Sequence, residues 1–312
     1  MSVLSKIEIP PDLPRSPKIP KGLSVDTPYI HGMLDPKWIG KPEDCLKKYP
    51  VKLLGREFEV YDLSQPFGYD VPLWPYFEDP IFERIHYHSK SRVLTRRIVT
   101  VMHVATHIDA PIHVEEGFPS IDQIPIGNFI GEGVVISIPK GKWEFITVEE
   151  LEKAEPPIQP GDFVIINTGW HKYWGDNVKY YCYGPGLSIE AAWWLVQKGV
   201  RLVGIDTQAL DHPLYTRQIW SQGPGTPDER NIVVPWLVEE YKKTFGRDPR
   251  EDFPYWEPVH RILLTHGIIG IENVGGEVDK VSGKRCIIIA LPLKWIGGDG
   301  SMTRLVALVE KK

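Results

Sequence analysis

The feature that most constrains the fold is a series of short apolar runs bounded by Gly and Pro: "GEGVVISIP" (131–139), "GDFVIINTGW" (161–170), "VRLVGID" (200–206), "IIGIENV" (268–274) and "CIIIALPLKW" (286–295). Rich in β-branched residues and too short for helices, they read as buried strands, and "RRIVTVMHV" (96–104) reads the same way. Between them lie helical segments at 147–154, 188–199, 234–246 and 258–267. Thr147 and Ser188 are placed to cap first turns, and Gly199 and Gly267 to close last ones. Strand and helix alternate, which predicts an α/β domain with a single mixed-sheet core and helices.

The first 57 residues are rich in proline and lysine and show no period, so they are expected to form an N-terminal arm, with the domain running from 58 to 312. The proline-rich stretch at about 213–257 carries its own helix and is expected to be a lid-like excursion. The net charge of −5 leaves no basic field for a phosphate backbone, so nucleic acid is not expected as a partner. Three scattered cysteines give neither a disulfide framework nor a metal spacing. No signal peptide and no apolar stretch of about 18 residues are seen, so a cytoplasmic protein without membrane contact is expected.

Of ten histidines, three fall with an aspartate in "HVATHIDAPIH" (103–113). His103, His107, Asp109 and His113 share a parity, so an extended chain would place them on one face. A straight strand would nevertheless spread the ends over roughly 33 Å. A helix turns Asp109 and His113 away and meets Pro111. A cluster therefore requires the chain to bend within the motif. Imidazole and carboxylate are ligands for zinc and manganese, although histidines in such runs also serve as hydrogen-bonded core residues.

The stretch resembles the H-x-G-T-H-x-D-x-P-x-H signature of the cyclase family of metal-dependent hydrolases, which includes the bacterial kynurenine formamidases. It departs only at the glycine, which here is Ala105; if that position needs positive φ, alanine costs on the order of 1 kcal/mol. "VPLWPYFED" (71–79), "IDTQALD" (205–211) and "HRILLTHGIIGIENV" (260–274) are similar to further segments of the family, and His260 and Glu272 keep its spacing of twelve residues.

The resemblance implies a swivelling β/β/α architecture and two zinc ions, manganese being possible. It places one ion on His103, His107 and Asp109 and the other on Asp109, His260 and Glu272, with the two carboxylates able to bridge. His113 is left as the catalytic proton acceptor and donor. Such a centre would activate water near neutral pH and polarise a carbonyl. Trp74 matches a substrate-binding aromatic position. A homodimer or higher homo-oligomer is expected, because relatives complete the pocket with a neighbouring subunit. The expected reaction is cleavage of an N-formyl or acyl arylamine. One alternative is ring opening of a cyclic amide, as in isatin hydrolases, which use one manganese. The other is a metal-binding module without catalysis, against which stand the absence of cysteine ligands and the spare His113. His86 and His88 read as structural or rim residues, and His266 as a cap of the helix that carries His260. His31 and His171 have weaker claims, whereas His212 is placed to border the pocket.

Overall fold

Two neighbouring residues on one strand serve two cores in this chain, because side chains alternate across a sheet. Phe163 and Ile165 pack on one side with Leu63, Ile108 and Ile271, whereas Val164 and Ile166 pack on the other with Val134, Leu195 and Leu263. The computed structural model describes residues 51–75, 77–175, 178–216, 218–219 and 234–311.

The strands are β1 (Val51–Leu53), β2 (Arg56–Asp62), β3 (Ile81–His86), β4 (Thr95–Val99), β5 (His107–Asp109), β6 (Ile130–Ser137), β7 (Phe145–Ile146), β8 (Phe163–Asn167), β9 (Gly186–Leu187), β10 (Leu202–Ile205), β11 (Ile269–Glu272), β12 (Lys284–Ala290), β13 (Gly300–Met302) and β14 (Leu305–Glu310). The helices are α1 (His88–Ser91), α2 (Val148–Glu152), α3 (Val178–Cys182), α4 (Ile189–Lys198), α5 (Pro235–Phe245), α6 (Pro249–Asp252), α7 (Pro258–Thr265) and α8 (Val278–Val281).

Ten strands form one mixed sheet in the order β1-β2-β14-β12-β6-β8-β10-β11-β5-β13. The four at its centre, β6, β8, β10 and β11, run parallel, as their continuous apolar runs require. Antiparallel pairs flank them. β13 ends the order and β14 lies near the other end, yet only Thr303 and Arg304 separate them. Two residues of chain span no more than about 10 Å, so the sheet curls until its ends meet. The α/β class with a single mixed sheet and helices is therefore the observed one.

Local signals act as expected. Ser188 accepts from Ala191 N–H (3.1 Å) at the start of α4, and Gly199 closes that helix at φ 74°. Thr147 and Glu150 form a reciprocal capping box on α2. His266 ends α7 and bonds the Ile262 carbonyl at 2.7 Å.

Two expectations differ. "RRIVTVMHV" is not one buried strand: only Thr95–Val99 is extended, it pairs with β3, and residues 100–106 bend. That hairpin is almost wholly exposed, with Ile81, Ile85, Ile98 and Val99 open, and the charged pairs Glu83–Arg84 and Arg96–Arg97 leave it no continuous apolar face. Among the described residues the sheet begins at Val51, ahead of residue 58. Residues 1–50 of the expected arm, with His31, lie outside the described residues, as do 217 and 220–233 of the expected lid. The described part of that excursion holds α5 and α6. Among the described residues no helix is long and apolar enough to cross a membrane.

Candidate metal centre

His107 and Asp109 stand two residues apart on β5, hence on one face. Across the antiparallel register His107 faces Glu272 and Asp109 faces Gly270. On the other side Asp109 faces Gly300 of β13. Both lateral neighbours of Asp109 are thus glycines, and space explains them. A Cβ at Gly300 would lie 2.8 Å from His103 Cε1, and one at Gly270 would lie 2.8 Å from Leu210 Cδ1 and 3.5 Å from Asp109 Oδ2. The bare backbone on either side leaves room for imidazoles around one carboxylate.

The bend that the signature demands lies ahead of β5. Ala105 sits at φ 50°, in the left-handed region, and swings His103 back over the strand. Its carbonyl accepts from His107 Nδ1 (2.9 Å) and from Asn273 Nδ2 (3.0 Å). After Asp109 the chain turns through a short 3-10 segment, Pro111–His113, which brings the His113 ring against that of His103 with centroids 4.0 Å apart. His260 comes from the first turn of α7, where Pro258 opens the helix as expected.

These side chains converge. His103 Nδ1 lies 2.7 Å from Asp109 Oδ1, His107 Nε2 lies 3.4 Å from both Asp109 Oδ1 and Glu272 Oε2, and His260 Nε2 lies 2.8 Å from Glu272 Oε1 and 3.5 Å from Asp109 Oδ2. Each carboxylate therefore turns one oxygen toward the His103/His107 side and the other toward His260. Two triads have donor atoms within 4.8 Å of one another: His107, Asp109 and Glu272, and His103, Asp109 and His113. Asp109 belongs to both.

The electrostatics fit a cation. Asp109 and Glu272 are buried, and although burial opposes it, the neighbouring imidazoles hold Asp109 well below the usual carboxylate range and lower Glu272. Burial also opposes charge on the histidines, yet the carboxylates raise His103 to about 9 and His107 to about 10, and push His260 well up. The pocket is a sink for positive charge. Within it His107 Nε2 and Asp109 Oδ2 are buried without a hydrogen-bond partner. Such orphans are costly unless a ligand meets them. Donor atoms about 2.1 Å from a tetrahedral ion lie about 3.4 Å apart, which is the spacing that His107 Nε2 keeps from its two carboxylate neighbours.

His113 differs. It stands at the solvent side of the cluster, where desolvation by the surrounding protein and the adjacent His103 push it down to about 4, so its ring is neutral.

Outer partners fix the rings of these histidines, and the sequence did not single them out. Asp211 bonds His260 Nδ1 (2.7 Å), and Asp299 bonds His103 Nε2 (2.9 Å). The Ala105 carbonyl does the same for His107. Asp211 was visible as the last residue of "IDTQALD", but nothing in spacing ties it to His260.

Trp74 lies half-buried against Tyr181, ring centroids 5.9 Å apart, in an aromatic cluster with Trp170 and Tyr180. The Tyr180 hydroxyl donates to Asn273 Oδ1 (2.7 Å), the residue after Glu272, and so ties that cluster to the centre. His212 is fully buried between Phe145 and Phe253. His171 pairs with Asp206 at 2.8 Å, and His86 and His88 are exposed on the outer hairpin.

The profile of the Cyclase family, described as "Putative cyclase", matches residues 61–212, which include the whole signature, Trp74 and Asp211. Over these residues the chain matches the cyclase family of metal-dependent hydrolases. It is an enzyme of that kind, with clustered His, Asp and Glu ligands. The chain is 25% identical to a kynurenine formamidase of Bacillus thuringiensis (strain Al Hakam) over 250 residues, 80% of this chain and 96% of that one. It is 26% identical to a kynurenine formamidase of Bacillus anthracis over 246 residues, 78% and 95%. Isatin hydrolase A from Ralstonia solanacearum shares the fold at a TM-score of 0.62 and 24% identity, covering 81% of this chain and 92% of that one.

Proposed function

We propose that the chain hydrolyses an amide bond between a carbonyl carbon and an aryl nitrogen, with a cyclic amide of the isatin kind as the leading substrate and a linear N-formyl or acyl arylamine as the second. The observation that carries this reading is a neutral imidazole, His113, stacked beside a buried set of metal-ligand side chains without being enclosed by it. The names of the relatives, kynurenine formamidase and isatin hydrolase, point to the same bond class.

His103, His107, Asp109, His260 and Glu272 would hold two divalent ions, zinc in first place and manganese as the alternative. The split of each carboxylate between two sides supports bridging by Asp109 and Glu272. When bound, such ions polarise a carbonyl and make water acidic near neutral pH. His113 takes the proton released as water oxygen bonds to the carbonyl carbon, then returns it to nitrogen as the C–N bond breaks. The aromatic layer around Trp74 and Tyr181 supports a flat aryl group as the substrate body.

The test is turnover of isatin, other cyclic amides and formylated arylamines by zinc- and manganese-reconstituted protein, with His113→Ala beside the wild type. Hydrolysis by the wild type, with full metal content but a roughly 10²- to 10⁴-fold lower kcat in the variant, is expected. Unchanged turnover in the variant, or none in either, contradicts it.

We further propose a homo-oligomer, supported by the apolar side chains that the β3–β4 hairpin leaves in solvent.

A further inference from the structure

We propose that Glu257 is a substrate-binding residue of this centre, its carboxylate accepting a hydrogen bond from the N–H of the scissile amide; the assignment rests on the amide-hydrolysis reading above.

Glu257 occupies the N-cap position of α7, three residues ahead of His260. A residue in that place ordinarily keeps an extended backbone, the more so before proline, and a short polar side chain there caps the first turn. Glu257 does neither: it sits at φ 41°, ψ 51°, and its side chain makes no capping bond. The left-handed region is unfavourable for a residue with a Cβ. The cap has been taken over by Asp211, which accepts from Val259 N–H at 3.0 Å and from His260 N–H at 2.9 Å. The backbone of Glu257 is held in its strained state by its N–H bond to the Tyr215 carbonyl (2.9 Å) and by the bond from Arg261 N–H to its own carbonyl (3.1 Å).

This geometry frees the carboxylate. It is half-buried and meets no hydrogen-bond donor or ion-pair partner among the described residues. It is also absent from the triads whose donor atoms converge on a cation position. Yet it is within electrostatic reach of that position: burial pushes its carboxyl up to about 7, Asp211 and Glu272 push the same way, and His260 and Arg261 oppose them. A carboxylate without a protein donor but within reach of solvent, on a strained backbone three residues ahead of His260, is open to a ligand. The bond class proposed above supplies the missing donor. Isatin and a formylated arylamine both carry an amide N–H, and that N–H is the group that a carboxylate acceptor distinguishes from an N-alkylated amide.

The experiment compares isatin with N-methylisatin on metal-reconstituted wild type, Glu257→Gln and Glu257→Gly, by turnover, by calorimetric binding and with thermal melting of each protein. Loss of a hydrogen bond to a charged acceptor corresponds to roughly 10- to 100-fold, so the wild type should favour isatin by that factor. Glu257→Gly should treat the two compounds alike, and Glu257→Gln should fall between. Glu257→Gly should also melt higher than the wild type, because it removes the strain of the positive φ. Discrimination that persists in Glu257→Gly, equal treatment of both compounds by the wild type, or a lower melting temperature for Glu257→Gly overturns the assignment while the hydrolase reading stands. Absence of binding and turnover of either compound by the wild type overturns the cyclic-amide part of that reading and the assignment with it.

Discussion

Asp211 holds His260 at two atoms, accepting from its backbone N–H at 2.9 Å and meeting its Nδ1 at 2.7 Å, while its other oxygen accepts from Val259 N–H. One fully buried carboxylate thus caps a helix, fixes the tautomer of a ligand ring and leaves His260 Nε2 facing Glu272 and Asp109. Carboxylates in this outer position typically govern metal affinity. Asp211→Asn should weaken binding of the ion on the His260 side about 10- to 100-fold and lower stability by about 1–3 kcal/mol. Competition with a chelating dye and a thermal melt check both. Unchanged affinity would remove Asp211 from the centre.

Ala105 stands at φ 50° where the family signature has glycine. The strain and the extra freedom of a glycine in the unfolded chain act in opposite directions, and in the left-handed region the strain is the larger. Ala105→Gly should therefore raise the melting temperature by about 2–4 °C, the response to about 1 kcal/mol in a chain of this size. A fall would mean that the bend at His103 is not strained by the alanine.

Those two residues also mark the limit of what the sequence discloses. The bend within the signature followed from chain length alone, because four side chains spaced over ten residues cannot meet on a straight strand. Local devices such as the Ser188 cap, Gly199 and Pro258 were legible because each acts within one helical turn. Asp211 and Asp299 were not: each meets its histidine across 49 and 196 residues of chain respectively, and no periodicity reports such a contact. The failure at "RRIVTVMHV" has a different cause. Its apolar pattern is compatible with a buried strand, but the two arginines at its start belong to an exposed hairpin, and pairing with β3 was invisible from the run itself.

His212 gives the pH dependence a sign. Burial between Phe145 and Phe253 pushes its pKa down to about 3, against about 6.5 in an unfolded chain. Between those values the unfolded chain holds a proton that the folded chain refuses. Its contribution to stability is therefore fully present above about pH 6.5 and is lost as pH falls toward 3, by a few kcal/mol at most. Denaturant melts of wild type and His212→Gln at pH 7 and pH 4.5 should show a smaller acid loss in the variant. An equal loss in both would mean that His212 takes up a proton in the folded state.

The exposed hairpin bears on assembly. Light scattering after size exclusion should give a dimer or larger. Ile85→Lys together with Ile98→Lys, both on residues about half exposed, should shift the population toward monomer without lowering the stability of the monomer by more than about 0.5 kcal/mol per substitution. A monomeric wild type would contradict the expectation.

The most direct measurement is anomalous diffraction at the zinc and manganese edges from crystals grown with each ion. A strong peak is expected within bonding distance of His103, His107 Nε2 and Asp109, on the side that Glu272 Oε2 faces, and a second between Asp109, Glu272 and His260 Nε2. Saturating metal with no peak between His107, Asp109 and Glu272, or these three side chains turned away from one another, would contradict it.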